Sequence, residues 1–213
     1  MSSLTMSILG LTSMIMAPRL VAFPPYKINC SLPLLLLYSG TYTPKDGVAD
    51  LLDGVIEAHN SGVDCRLILL GKGTARDMKV LDKAANLDYI EYRGFVSDEE
   101  LEETIKKCDI LCMTRTNSRF ANFGFPFKLS EYLATGNILL ATNVGDVCLY
   151  VQDKVSALVV PPEDPKAIVQ AIKFVIDNPK ESLEIGLNGY KVMEKYFSID
   201  TVGAIFVAFL ENI

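Results

Sequence analysis

Histidine is almost missing from this chain. His59 is the only one, and there is no tryptophan. A nucleophile–histidine triad cannot be assembled around one imidazole placed on a helix whose apolar spacing leaves it at the solvated surface. Neither GxSxG nor GxxxxGK[ST] occurs, which excludes a nucleophile elbow and a P-loop. Basic residues are in deficit: 20 Lys and Arg face 26 Asp and Glu, for a formal charge of −6. That balance argues against an electrostatic nucleic-acid binder. The five cysteines (30, 65, 108, 112 and 148) are an odd number, mostly inside apolar runs. Cys108 and Cys112 bracket Asp-Ile-Leu with no second pair, so zinc spacing is lacking and the reading is free thiols in a reducing cytoplasm. No internal repeat or low-complexity tract is present.

Half of the 213 residues are apolar, enough for a substantial core. The first 23 residues stand apart. MSSLTMSILGLTSMIMAP carries no charge before Arg19, lacks the basic start of a secretory signal, and from Leu4 to Ala17 is short for a membrane span. Three readings stay open for it: a core element of a missing upstream part, a membrane-surface anchor, or a fragment boundary.

From Leu34 the pattern is regular. Apolar runs at Leu34–Tyr38, Cys65–Leu70, Tyr89–Tyr92, Asp109–Met113, Ile138–Ala141 and Ala157–Val160 read as buried strands. Helical spacing fills Val48–Asn60 and Ala75–Asn86. Ser97 and Glu100 form a capping box for a helix reaching Lys107. Asp146–Asp153 reads as helical, and Asp164-Pro165 opens the first of three closing helices, 165–177, 180–196 and 199–211. Strands alternating with helices predict an α/β fold, a doubly wound, Rossmann-like parallel sheet over 32–197. Residues 1–31 precede it and a C-terminal helix, 198–213, follows. In such sheets ligands bind at the carboxyl ends of the strands, where the loops at Gly40, Gly71, Gly94 and Arg115–Pro126 fall.

The stretch Phe123 to Gly145 is the richest in chemistry. Gly124 and Pro126 lead into a helix from Lys128, with Leu129 and Leu133 on one face, stopped by Gly136. A helix N-terminus attracts phosphate through free N–H groups and its dipole. Lys128 adds a full charge there, and Glu131 one turn on can accept hydrogen bonds from two sugar hydroxyls. An ordinary αβ junction accounts for the same Gly and Pro equally well. Lys45, Lys72 and Arg115 in neighbouring loops complete a cation set for a diphosphate. Gly71-Lys72-Gly73 has no third glycine at Arg76, so it is a plain turn rather than a dinucleotide fingerprint.

Taken together, YSGTYTPKDGVADLLDGV, LILLGKGT, YRGFVSDEELEETIKKCDIL, FPFKLSEYLATGNILLATNVGD and ALVVPPEDPKAIVQAI resemble the donor-binding, C-terminal half of a GT-B glycosyltransferase of the family-4, group 1 type. The resemblance spans about residues 34–197. It implies a nucleotide-sugar donor lying along the strand ends, with the base near Gly94, Phe95 and Val96. Gly40, Lys45, Gly124, Phe125, Pro126, Phe127, Lys128 and Leu129 would then surround the diphosphate and sugar. Glu131 matches the second Glu of the EX7E motif and would bind the ribose. The implied reaction is hexosyl transfer, retaining and metal-independent, with no cofactor beyond the donor substrate. Three positions depart from the pattern: Phe123 replaces the first Glu, Thr41 the loop arginine, and Asp46 the usual lysine, with Lys45 one place early. No acceptor-binding half is visible, so a separate N-terminal GT-B half is an implied partner. A catalytically silent module pairing with a complete transferase is the alternative. A nucleotide-sugar epimerase is disfavoured by the placement of His59. The implied location is cytoplasmic, with residues 1–23 available for peripheral membrane association.

Overall fold

The computed structural model describes residues 32–211. The apolar segment 1–23, and the membrane association read from it, lie outside them. Six strands among the described residues form one parallel sheet: β1 (Leu34–Gly40), β2 (Cys65–Gly71), β3 (Ile90–Gly94), β4 (Ile110–Met113), β5 (Ile138–Thr142) and β6 (Leu158–Val160). Their order is β3-β2-β1-β4-β5-β6, so the chain winds outward on one side of β1 and then restarts beside it. That reversal opens a crevice between the carboxyl ends of β1 and β4.

The period-two alternation of the strands feeds two cores. Leu34, Leu36 and Tyr38 of β1 and Ile110 and Cys112 of β4 enter one cluster. Leu37 of β1 and Leu111 and Met113 of β4 enter the other, on the opposite face. The first face is covered by α1 (Val48–Asn60) and α6 (Pro165–Asp177), which lie so close that a Cβ on Gly54 would stand 2.8 Å from Ile168. Leu51, Leu52, Val55 and Ile172 are all fully buried between helix and sheet; each such side chain contributes about 1.5–3 kcal/mol. The second face is covered by α2 (Asp98–Lys107), α4 (Lys128–Leu133) and α7 (Pro179–Phe197). The short α3 (Arg119–Phe123) and α5 (Val147–Tyr150) sit in connections, and α8 (Ile199–Leu210) closes the described chain.

Caps stand where the sequence placed them. Ser97 accepts the Glu100 N–H at 3.2 Å, and Asp164 accepts the Ala167 N–H at 3.1 Å with Pro165 in the first turn. Asp109, just before β4, has its carboxylate accepting the Leu35 N–H at 2.9 Å.

Four segments differ from the sequence reading. The helix expected over Ala75–Asn86 is a run of 3-10 turns, Asp77–Ala84. Met78, Leu81, Ala84 and Leu87 recur every third residue and pack on the first core, which suits three residues per turn. Asp146–Asp153 holds a single turn, because Asp153 leaves it to accept the Val159 N–H at 2.8 Å and bridge to Ala157. The loop expected at Arg115–Pro126 contains α3, capped by Ser118 through the Ala121 N–H. His59 is half-buried rather than solvated. Its ring stacks on Tyr89 at 3.6 Å and 9°, with Nδ1 shut away from water.

Candidate functional site

Above the β1–β4 crevice lies a cavity of about 490 Å³. Its floor is the end of β1, where Ser39-Gly40 passes beneath the start of α4. The helix is tied down at that point: the Tyr132 hydroxyl lies 3.3 Å from the Ser39 N–H and 3.4 Å from the Ser39 carbonyl. Gly71 of β2 closes on the same spot with φ +106°, and a Cβ there would stand 1.9 Å from the Gly40 carbonyl oxygen. Strand ends this near each other require glycine.

Lys128 enters the cavity from the first turn of α4. A Cβ on Gly40 would meet its Nζ at 2.1 Å, so the ammonium rests directly on the bare Cα. The Nζ stands 5.5 Å from the centroid of the Tyr38 ring, a cation–π distance. No ion pair among the described residues takes up its charge. Burial therefore pushes the Lys128 pKa below the usual lysine value, although Asp46 and Glu131 favour its protonated form. A half-buried cation facing a void, in no ion pair among the described residues, is the arrangement an anionic ligand completes.

Arg115, just past β4, is lowered mainly by burial, with Asp46 opposing. Its Nη1 donates to the Gly124 carbonyl at 2.6 Å, which pins the loop leading into α4. Lys72 after β2 lies 5.3 Å over the ring of Phe95, which is 78% exposed at the cavity mouth. Asp46 closes the β1 side. Its Oδ2 accepts from Thr41 Oγ1 and Thr43 Oγ1, both at 2.6 Å, and its Oδ1 pairs with Lys45 Nζ at 2.7 Å. Burial alone would raise this carboxyl, but the bonds from Lys45, Thr41 and Thr43 outweigh it and hold the pKa below the ordinary aspartate value. The carboxylate is thus ionised and largely saturated by its own loop. Among the described residues, no cluster of three or more His, Cys, Asp or Glu has the arrangement of a metal site.

The cavity gathers Gly40, Lys45, Phe95, Val96, Phe125, Pro126, Phe127 and Lys128 from the sequence-derived set. The other four lie outside its lining. Gly94, the last residue of β3, takes the left-handed φ of +74° that turns the chain. Gly124 turns its carbonyl to Arg115. Leu129 is fully buried in the second core, and its N–H is spent on the Pro126 carbonyl at 2.8 Å. Glu131 is half-buried one turn along α4, close enough for its charge to act on Lys128. Tyr38 went unread in the sequence. Its place just before the Ser39-Gly40 turn was the available signal, since a strand-end aromatic borders whatever the turn floors.

The model of the group 1 glycosyl transferases matches residues 33–178, all six strands and the cavity among them. The chain belongs to that family. It is 25% identical over 171 residues to the alpha-D-kanosaminyltransferase of Streptomyces kanamyceticus, covering 79% of this chain and 43% of that protein. It is also 25% identical over 171 residues to the MMP alpha-(1->4)-mannosyltransferase of Mycolicibacterium hassiacum, covering 79% of this chain and 40% of that one. The chain thus spans less than half the length of these relatives. Among solved structures, Anabaena Alr3699/HepE in complex with UDP superposes with a TM-score of 0.74 at 15% identity, over 100% of this chain and 54% of that one. The C-terminal domain of LpcC, a group 1 glycosyl transferase from Francisella tularensis, gives 0.65 at 17% identity, over 88% and 98%. These likenesses show the fold: the Rossmann-like half of a GT-B glycosyltransferase. No helix among the described residues is long and apolar enough to cross a membrane.

Proposed function

We propose that this chain is the donor-binding half of a retaining hexosyltransferase that uses a nucleoside-diphosphate sugar. The observation that carries this reading is Lys128, a half-buried ammonium that no ion pair among the described residues takes up, resting on Gly40 at the end of β1. The diphosphate lies over Gly40, between Lys128 and Arg115, with Lys72 at its outer side. The base rests against Phe95 and Val96, and Glu131 reaches the ribose from the second turn of α4. The leaving diphosphate gains negative charge as the glycosidic bond to it breaks. Fixed cations in a partly dry pocket stabilise that charge without rearranging. The side chains present supply this stabilisation, so the reading needs neither a metal ion nor a further cofactor. The acceptor is presented by the remaining half of the GT-B fold, in the same or a separate polypeptide. HepE is described in complex with UDP, with UDP and glucose, and with UDP-glucose, which favours UDP as the nucleotide here.

Calorimetry with UDP, GDP and ADP tests the site. Saturable binding of at least one, weakened at least tenfold in Lys128→Ala, is the expected result. No binding by any of them at millimolar concentration would remove the basis of the proposal.

One observation favours a second reading, a catalytically silent module that binds nucleotide and pairs with a complete transferase. Lys45 is held by Asp46 at 2.7 Å rather than free for phosphate, and Thr41 offers the diphosphate no charge. Release of UDP from UDP-glucose, measured with and without candidate acceptors, separates the two. Nucleotide binding without any donor turnover, even beside a supplied N-terminal half, selects the silent module.

A further inference from the structure

Asp46 is a negative charge fixed among the cations of the cavity. Its Oδ2 accepts the Thr43 N–H at 3.1 Å as well as the two threonine hydroxyls, and Lys45 takes its Oδ1. The backbone on either side of it is clamped to the end of β4. The Lys45 carbonyl accepts the Thr116 N–H at 3.0 Å, and a Cβ on Gly47 would stand 1.5 Å from the Thr114 carbonyl oxygen. A carboxylate held in this way has no room to swing out when another anion arrives.

Its charge reaches across the crevice. Asp46 favours the protonated forms of Lys128 and Arg115, against the burial that lowers both. The field that favours a cation at those two positions disfavours an anion lying between them. Lys45 does not reverse this, because its charge is paired with Asp46 and the two together add no net charge to the loop. The turn at Pro44–Asp46 needs an oxygen here but not a charge, since an asparagine Oδ1 can accept from the same Thr43 N–H and hydroxyls. Among the described residues, the other carboxylate on the lining is that of Asp98, which is exposed.

The donor and the product of the proposed transfer differ by one charge. In a nucleoside diphosphate sugar each phosphate is esterified on both sides and carries a single charge. In the released nucleoside diphosphate the terminal phosphate, with a second ionisation at about pH 6, carries close to two at neutrality. A fixed carboxylate beside the diphosphate therefore opposes the product more than the donor, and discrimination by repulsion needs no added contact to the donor.

Resting on the donor-site reading above, we propose that Asp46 is a specificity-determining residue that makes the cavity select a nucleoside diphosphate sugar over the free nucleoside diphosphate. It holds down affinity for the product and so shortens the product's stay after transfer.

Calorimetry on the unaltered chain and on Asp46→Asn tests this with three pairs: UDP-glucose and UDP, GDP-mannose and GDP, ADP-glucose and ADP. For the pair that binds, the unaltered chain should hold the sugar nucleotide at least as tightly as the free diphosphate. Asparagine keeps the accepting oxygen and drops the charge, so the variant should gain affinity for the free diphosphate at least about threefold more than for the sugar nucleotide. A purely structural Asp46 would move both affinities by the same factor. Equal factors, or a larger gain for the sugar nucleotide, overturn the proposal. So does an unaltered chain that binds the free diphosphate more tightly, a result that does not depend on the variant's folding. Either of these leaves the donor-site reading standing. No binding by any member of the three pairs at millimolar concentration overturns that reading, and this inference with it.

Discussion

Lys128 is held where its charge is costly to the folded chain. Burial lowers its pKa below the lysine value of 10.5, so in the alkaline window just under pH 10.5 the folded protein binds fewer protons than the unfolded one. Stability contributed by this residue therefore rises with pH across that window and is at its least at neutrality. Lys128→Met should raise the urea midpoint at pH 7 while weakening UDP binding by about 1.5–3 kcal/mol, the worth of a charged hydrogen bond. Calorimetry and denaturation on the same variant check both signs. Asp46 behaves oppositely. Its pKa is depressed, so its contribution is present above the ordinary aspartate value of 3.8 and is lost as pH falls through the depressed one. Asp46→Asn should flatten that part of the acid unfolding curve, followed by circular dichroism between pH 5 and 2. For Glu131→Ala we expect UDP affinity to fall by about 1–3 kcal/mol. Unchanged affinity would detach Glu131 from the ribose and leave it a neighbour of Lys128 only.

At the scale of elements, two glycines at the strand ends separate binding from folding. Gly40→Ala puts a methyl 2.1 Å from the flexible tip of Lys128, so the lysine is displaced and the strand survives. Nucleotide binding should drop at least tenfold with the melting temperature nearly kept. Gly71→Ala puts a methyl 1.9 Å from a backbone oxygen and at φ +106°, where neither side can yield cheaply. Destabilisation of about 1–3 kcal/mol is expected, measured by chemical denaturation. The same elements show what could be read beforehand. The strand runs were legible because a parallel sheet buried on both faces demands unbroken apolar residues, as in Ile138–Leu140. The junction into α4 was legible because Gly, Pro and Lys each leave a mark on chain geometry or charge. The 3-10 run was not, since its rows at every third residue pass for a helical stripe in a short window. The resemblance placed Leu129 at the donor, whereas its spacing with Leu133 on one apolar face already marked the side the core claims. Tyr38 was missed for a related reason: an aromatic at a strand end belongs to the core or to a site depending on a helix 90 residues later.

On the scale of the whole molecule, a net charge of −6 surrounds a cavity lined by Lys45, Lys72, Arg115 and Lys128. An approaching anion meets an unfavourable distant field and a favourable near one. With a Debye length of about 10 Å at 0.1 M salt, modest salt screens the first more than the second. The association rate of UDP should therefore vary little, or rise, as salt increases from 10 to 100 mM, with weakening confined to higher salt. Stopped-flow fluorescence with a labelled nucleotide measures this, and a steep monotonic fall from 10 mM upward would contradict it.

The strand order carries one more consequence. The floor at Gly40 is made early in the chain and Lys128 late, and β4 must slot in beside β1 before they meet. A growing or refolding chain thus has no cavity between Gly40 and Lys128 until both windings of the sheet have joined. Ligand affinity would then report the completed central seam, and a bound nucleotide would act as a clasp between the two halves of the sheet.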